Sequence, residues 1–190
     1  MANVTPLGKI AVEKHLIPAY RSTYPTPIYL PNCSITNRPV FIYRGVFPPS
    51  TNASAIESHL TQVGVVAPQW RYTMYKATHF HSNTHEVLCI ASGRAKLCLG
   101  GEENPGRIEP EVKKGDVLIL PAGVAHRLLS EVDGFEMVGS YPPDTKDWDM
   151  CFGDGDRESI DGRIKRVRWF EGDPVYGESG PVLDPYLSIV

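Results

Sequence analysis

His79-Phe80-His81-Ser82-Asn83-Thr84-His85-Glu86 is the stretch on which the reading of this chain turns. On a strand, residues two apart share a face, with their roots roughly 6.6 Å apart. His79 and His81 can therefore converge on one metal ion, at about 2.0–2.1 Å from each nitrogen, while Phe80 packs the other way. Four residues separate His81 from Glu86, enough for a turn, so the Glu86 carboxylate can return on a neighbouring strand about 4.8 Å across the sheet. Two imidazoles and one carboxylate on one face form a triad that leaves coordination positions open. His85, next to Glu86, should face away from that ion and serve as a loop, surface or supporting residue.

A second segment, Gly115-Asp-Val-Leu-Ile-Leu-Pro121-Ala-Gly123-Val-Ala-His126, reads as turn, buried strand, tight reversal and strand start. Pro121 sets φ and Gly123 tolerates positive φ, so the chain reverses sharply there. His126 follows, placed to face inward as a fourth ligand. Either segment alone is a weak signal. Together they fix eight residue types at set spacings.

Around these segments the texture is that of an all-β sandwich or barrel. Seventeen prolines and seventeen glycines punctuate short apolar runs, unlike alternating βαβ units. Residues 1–38, with Pro6, Pro18, Pro25, Pro27 and Pro31, read as an extended arm, and Pro39–Tyr43 as the first strand of the body. Ser54-Ala-Ile-Glu57 has the form of a capping box; it opens one helix with Ile56, Leu60 and Val63 on a single face. His59 lies on the exposed side, and Gly64 ends the helix. Strands are expected at 70–81, 86–92, 94–99, 107–112, 117–120, 125–130 and 135–141, a count suited to a closed or double-sheet structure. Residues 142–190 read as loop packed over the barrel, with one strand-like stretch from Ile164 to Phe170. There Arg163, Lys165, Arg166 and Arg168 alternate with apolar residues. Asp154-Gly-Asp156 lacks the loop and closing Glu of a calcium site.

Composition narrows the function. The chain has 190 residues, net charge −3 and 42% hydrophobic residues, and a chain of this length buries roughly 70% of its extended surface. No basic footprint points to nucleic acid, and no apolar run reaches membrane-span length. Cys33, Cys89, Cys98 and Cys151 form no CxxC pair; Cys89 and Cys98 read as small buried hydrophobes. Free thiols and no apolar leader point to the cytoplasm.

The two segments resemble the paired motifs of the cupin superfamily, the RmlC-like jelly rolls, G(x)5HxH(x)3–4E(x)6G and G(x)5PxG(x)2H(x)3N. His79, His81, Glu86 and Gly93 match the first, and Gly115, Pro121, Gly123 and His126 the second. Thr73 and Ser130 depart from the leading glycine and the closing asparagine. The wider run is similar to the YjlB-like single-domain cupins, through Pro68-Gln-Trp70-Arg71, the stretch His79–Leu88 and Asp173-Pro-Val-Tyr-Gly177. The resemblance implies a single cupin jelly-roll β-barrel over 1–190, with the body at 39–141, a metal bowl, a small-molecule cavity and a homodimer. It carries no established reaction.

The metal ligands expected are thus His79, His81, Glu86 and His126, holding one divalent ion. Iron(II) or manganese is favoured over nickel or zinc, all of which accept this donor set. Strand parity adds Arg71, Thr73, Tyr75, Leu88, Ile90, Leu128 and Ser130 to the cavity wall, with Tyr75 as candidate acid, base or hydrogen-bond donor. A metal-dependent dioxygenase acting on a small organic substrate is the leading reading. A non-redox isomerase or decarboxylase, or a non-catalytic small-molecule binding cupin, is the alternative.

Overall fold

The computed structural model of the protein describes residues 10–23, 25–145 and 147–184. Pro6 of the expected arm and residues 185–190 of the expected tail lie outside them. The strands are β1 (Ala11–His15), β2 (Tyr20–Ser22), β3 (Ile28–Leu30), β4 (Val40–Arg44), β5 (Ala67–Tyr72), β6 (Glu86–Leu99), β7 (Glu111–Lys113), β8 (Val117–Leu120) and β9 (His126–Tyr141). The helices are α1 (Ala53–Val63) and α2 (Arg157–Arg166). Seven strands form one sheet in the order β1-β4-β8-β6-β9-β5, with β7 on β6, while β2 and β3 make a separate pair. The fold is all-β and jelly-roll-like, and its hydrogen-bonded path is open among the described residues.

The sheet nevertheless rolls up. His126 pairs with Leu99 at the far end of β6 from Glu86, a separation of roughly 40 Å along a straight strand. Yet the His126 Nε2 atom lies 3.2 Å from a Glu86 carboxylate oxygen. Register shifts at Ile90/Ser92, Ser92/Arg94 and Lys96/Leu97 interrupt the β6–β9 ladder. Bulges of this kind bend strands and raise their twist, and here the curl brings both strand ends to one place.

The central strands are buried on both faces, so they read as near-continuous apolar runs. Val40, Ile42, Leu88, Ile90, Leu118 and Leu120 fill the interior of the roll. Their neighbours Phe41, Tyr43, Val87, Cys89, Val117 and Ile119 face outward, under Ile56 and Leu60 of α1 and Val175 and Val182 of the tail. A third cluster joins Ile160 and Ile164 of α2 to Phe80, Ala122 and Ala125. Cys33, Cys89 and Cys98 are buried and all four thiols are free. No described helix is long and apolar enough to cross a membrane.

Several local expectations need correction. The helix cap is Asn52, whose side chain accepts from the Ala55 N–H. Ser54 and Glu57 instead receive Arg71, because the cap fell two residues earlier than the capping box implied. Gly64 does end α1, at φ 77°. His59 is half-buried, edge-on to Phe47 and 2.8 Å from the Val175 carbonyl. Strands 86–92 and 94–99 are one strand with Gly93 at a bulge, and 125–130 and 135–141 are likewise one. The regular strand expected at 70–81 stops at Tyr72. The arm contributes β1 to the main sheet, paired with β4. The strand expected from Ile164 begins inside helix α2, whose N-cap is Asp156.

Candidate metal centre

Backbone pairing places the histidines. His79 and His126 form an antiparallel bridge, exchanging N–H···O bonds of 3.2 and 2.9 Å, which sets their rings 4.3 Å apart between centroids. The Pro121–Gly123 reversal locks the next residues: the Gly123 N–H donates to the His81 carbonyl at 2.8 Å. Gly123 sits at φ 93°, and a Cβ there would meet Ile164 at 2.9 Å, so only glycine fits both conformation and space. His85 faces away from the centre, as expected. Its Nδ1 accepts from the Ala122 N–H at 2.9 Å, and its ring packs against Trp169 and Phe170. It therefore braces the turn that delivers His126.

The three imidazoles are buried and offer donor atoms all within 4.8 Å of one another, an arrangement that could hold a metal ion. Each Nδ1 faces a backbone carbonyl: Ala77 for His79 at 3.0 Å, Val124 for His126 at 3.0 Å, and Asp149 for His81. A carbonyl only accepts, so Nδ1 carries a proton in each ring and Nε2 is left to bind a second proton or a metal. Glu86 stands within the same cluster, 3.4 Å from His81 Nε2 and 3.2 Å from His126 Nε2. Its Oε1 accepts from the Tyr141 hydroxyl at 2.8 Å, and that hydroxyl accepts from the Trp70 indole N–H at 3.0 Å.

The electrostatics of the same spot suits a cation. His81 Nε2 and Glu86 Oε2 are buried with no hydrogen-bond partner, which normally costs about 1–3 kcal/mol each. Burial, with help from His126, lowers the His79 pKa to about 4. Burial also works against ionised Glu86, but His81 and His126 outweigh it and hold its carboxyl well below the usual range. His81 is penalised as a cation by burial, yet the Glu86 carboxylate and the Asp149 carbonyl raise its pKa overall. A nitrogen and oxygen donor set without thiolate suits iron(II), manganese, nickel or zinc, and the orphaned Nε2 and Oε2 atoms fit such an ion.

The centre opens into a cavity of about 260 Å³. Arg71, Thr73, Tyr75 and Leu88 line it as expected, although Tyr75 is 51% exposed at the mouth, edge-on to His79 at 5.6 Å. Ile90 and Leu128 lie in the apolar core instead, and Ser130 is exposed because the register shift beside Leu97 breaks the parity of β9. Sequence reasoning missed Tyr141, Trp148 and Met150. Tyr141 was findable, since Phe135 and Met137 share its parity on β9 and both point inward. Trp148 and Met150 come from the tail, where no periodicity announces them. The tail is strapped over the centre by Asp149, which accepts from the Ser82 N–H at 2.7 Å and from the Ser82 hydroxyl. Arg163 of α2 donates to that hydroxyl at 2.5 Å.

Comparison with known proteins agrees with this geometry. The family described as Cupin domain matches residues 70–138. The uncharacterized protein YjlB of Bacillus subtilis (strain 168) is 36% identical over 120 residues, covering 63% of this chain and 70% of YjlB. The 12S seed storage protein CRD of Arabidopsis thaliana is 26% identical over 85 residues, 45% of this chain and 17% of that protein. Among solved structures, the 11S allergen of Cocos nucifera is similar at 19% identity and TM-score 0.34, over 43% of this chain and 23% of the allergen. Procruciferin of Brassica napus is similar at 12% identity and TM-score 0.35, over 68% of this chain and 28% of procruciferin. The chain thus spans about a quarter of the length of those solved structures. With its paired motifs folded around one buried histidine cluster and YjlB matched over 70% of that protein's length, the chain belongs to the cupin superfamily, close to YjlB.

Proposed function

We propose that this cupin is a metal-dependent enzyme of dioxygenase type, acting on a small organic substrate inside the roll. His79, His81, His126 and Glu86 hold one divalent ion, with iron(II) or manganese favoured. The observation that carries the reading is that the three histidines, with donor atoms within 4.8 Å of one another, line the cavity together with Glu86, so an ion held there would face it. A structural ion needs no such open face. When bound, the ion supplies a Lewis-acidic, redox-capable meeting point for substrate and oxygen. The protein's own part is to fix the imidazoles through their Nδ1 carbonyl bonds, to hold Glu86 through Tyr141, and to exclude water with apolar walls. Tyr75 is the wall hydroxyl placed to donate to, or take a proton from, a bound substrate. The four free cysteines support a reducing compartment, taken to be the cytoplasm.

An iron(II)-loaded sample exposed to nitric oxide under nitrogen tests the open face. A new paramagnetic signal that is absent from the His81→Ala variant is expected. Loaded protein that gives no signal contradicts oxygen-type chemistry and favours the non-redox or binding alternatives.

A homodimer belongs to the same proposal. The sheet ends at β1 and β5, each with one partner strand among the described residues, and open edges invite pairing. Light scattering should give twice the chain mass; a monomer at all concentrations contradicts it.

A further inference from the structure

We propose that the outer cleft between the C-terminal end of α2 and residues 142–145 holds the phosphate group of a small phosphorylated organic molecule. The cleft measures about 780 Å³, and none of the described residues lines both it and the metal-side cavity. It takes up the basic run of the tail that the proposed function leaves unused. The chain has a net charge of −3, yet residues 163–168 hold four cations and no carboxylate. Three of them, Arg163, Arg166 and Arg168, line the cleft. A basic last turn suits the negative end of a helix dipole, which accounts for Arg163, Lys165 and Arg166. Arg168 lies beyond the end of α2, where the dipole gives it no role.

Arg163 is held by the fold: it donates to the hydroxyls of Ser82 and Ser159 at 2.5 and 2.8 Å and lies 3.6 Å from Asp149. Arg166 and Arg168 are exposed and, among the described residues, have neither an ion pair nor a side-chain hydrogen bond. Asp144 and Glu171 also line the cleft, but neither pairs with a cation among the described residues. Three guanidiniums thus face two carboxylates, and two of the three are free to bind. A guanidinium presents a rigid fork of N–H donors that matches a carboxylate or a phosphate. A carboxylate has two oxygens, which a single fork uses up. A phosphate monoester has three, with nearly two negative charges at neutral pH, so two forks can share it. The volume lies within the roughly 300–1,000 Å³ of small-molecule sites and exceeds what a phosphate alone would fill. Val65, Pro142 and Trp169 on the walls suit an apolar body for the remainder.

Calorimetry on the full-length protein as purified tests this with three probes: phenyl phosphate, benzoate and inorganic phosphate. Phenyl phosphate should bind about tenfold more tightly than benzoate, which keeps the ring but carries a carboxylate, and than inorganic phosphate, which lacks the ring. Replacing both free guanidiniums, Arg166→Gln with Arg168→Gln, should weaken phenyl phosphate by about tenfold or more. Lys165→Gln removes a cation of the same run outside the cleft and should change the affinity by no more than about twofold. A thermal melt checks that the double variant is folded. If it is not, each single arginine variant should still weaken binding by about threefold. Failure of phenyl phosphate to bind, equal affinity for benzoate or for inorganic phosphate, or an equal loss in Lys165→Gln overturns the proposal. So does binding that survives the arginine changes but is lost in His81→Ala, which would place the phosphate on the metal instead.

Discussion

At the scale of single residues, Tyr141 is the most informative side chain outside the four proposed ligands. Its hydroxyl donates to Glu86 Oε1, which also lies 3.4 Å from His81 Nε2, and leaves Oε2 3.2 Å from His126 Nε2. Removing it by Tyr141→Phe should weaken metal binding about 10- to 100-fold, as is usual when a ligand's hydrogen-bond partner is lost. Competition with a chromophoric chelator measures this directly, and unchanged affinity would show that Tyr141 does not orient the carboxylate. The neighbourhood is tight. A methyl group on Gly139 would lie 2.0 Å from the Trp70 ring, so the indole that donates to Tyr141 occupies space only glycine leaves open. The three histidines are legible because strand spacing and the Pro121–Gly123 turn place them, and the structure brings them within 4.8 Å of one another, with Glu86 beside His81 and His126. Trp148 and Met150 are not, since they reach the cavity by tertiary folding of a segment with no repeating pattern.

At the scale of elements, the sequence signals that worked were those with a mechanism confined to a few residues: the Gly64 stop, the Pro121–Gly123 reversal and the apolar run of β8. Those that failed involved competition between neighbours. Asn52 captured the cap that Ser54 and Glu57 also fit. Helix α2 has only Ile160 and Ile164 buried among charged residues and Gly162, so its periodicity is nearly silent. Its stability comes from packing on Phe80 and Ala122, which no local pattern records. The turn between β8 and β9 carries a pH prediction through His85. Burial lowers its pKa from 6.5 to about 4, so the unfolded chain takes up a proton between those values while the folded protein does not. Its contribution is complete above about pH 6.5 and is lost as pH falls toward 4, worth on the order of 3 kcal/mol. Urea unfolding of chelator-treated protein across that window should therefore show stability falling with acid, with a shallower slope in His85→Gln. An identical slope in the variant would mean that His85 is not held neutral.

At the scale of the whole molecule, the β6–β9 ladder explains why one motif pair makes one site. The two strands leave Glu86 and His126 at opposite ends of their shared ladder, and the bulges curl those ends together. The fold class was legible because the two motifs and the turn chemistry specify a rolled sheet, although the short strands expected at 86–92 and 94–99, and at 125–130 and 135–141, run together as β6 and β9. The cover was not, because α2 and the strap at 147–151 draw on contacts with Ser82 and Asn83 more than sixty positions away. The proposed function depends on a divalent metal among His79, His81, Glu86 and His126. Elemental analysis of protein purified without chelator or polyhistidine tag, beside a His81→Ala variant shown to be folded by circular dichroism, tests it most directly. Near one equivalent of iron or manganese per chain is expected in the wild type and little in the variant. Protein that carries no metal and cannot be loaded with any, or a variant that retains a full equivalent, would contradict it.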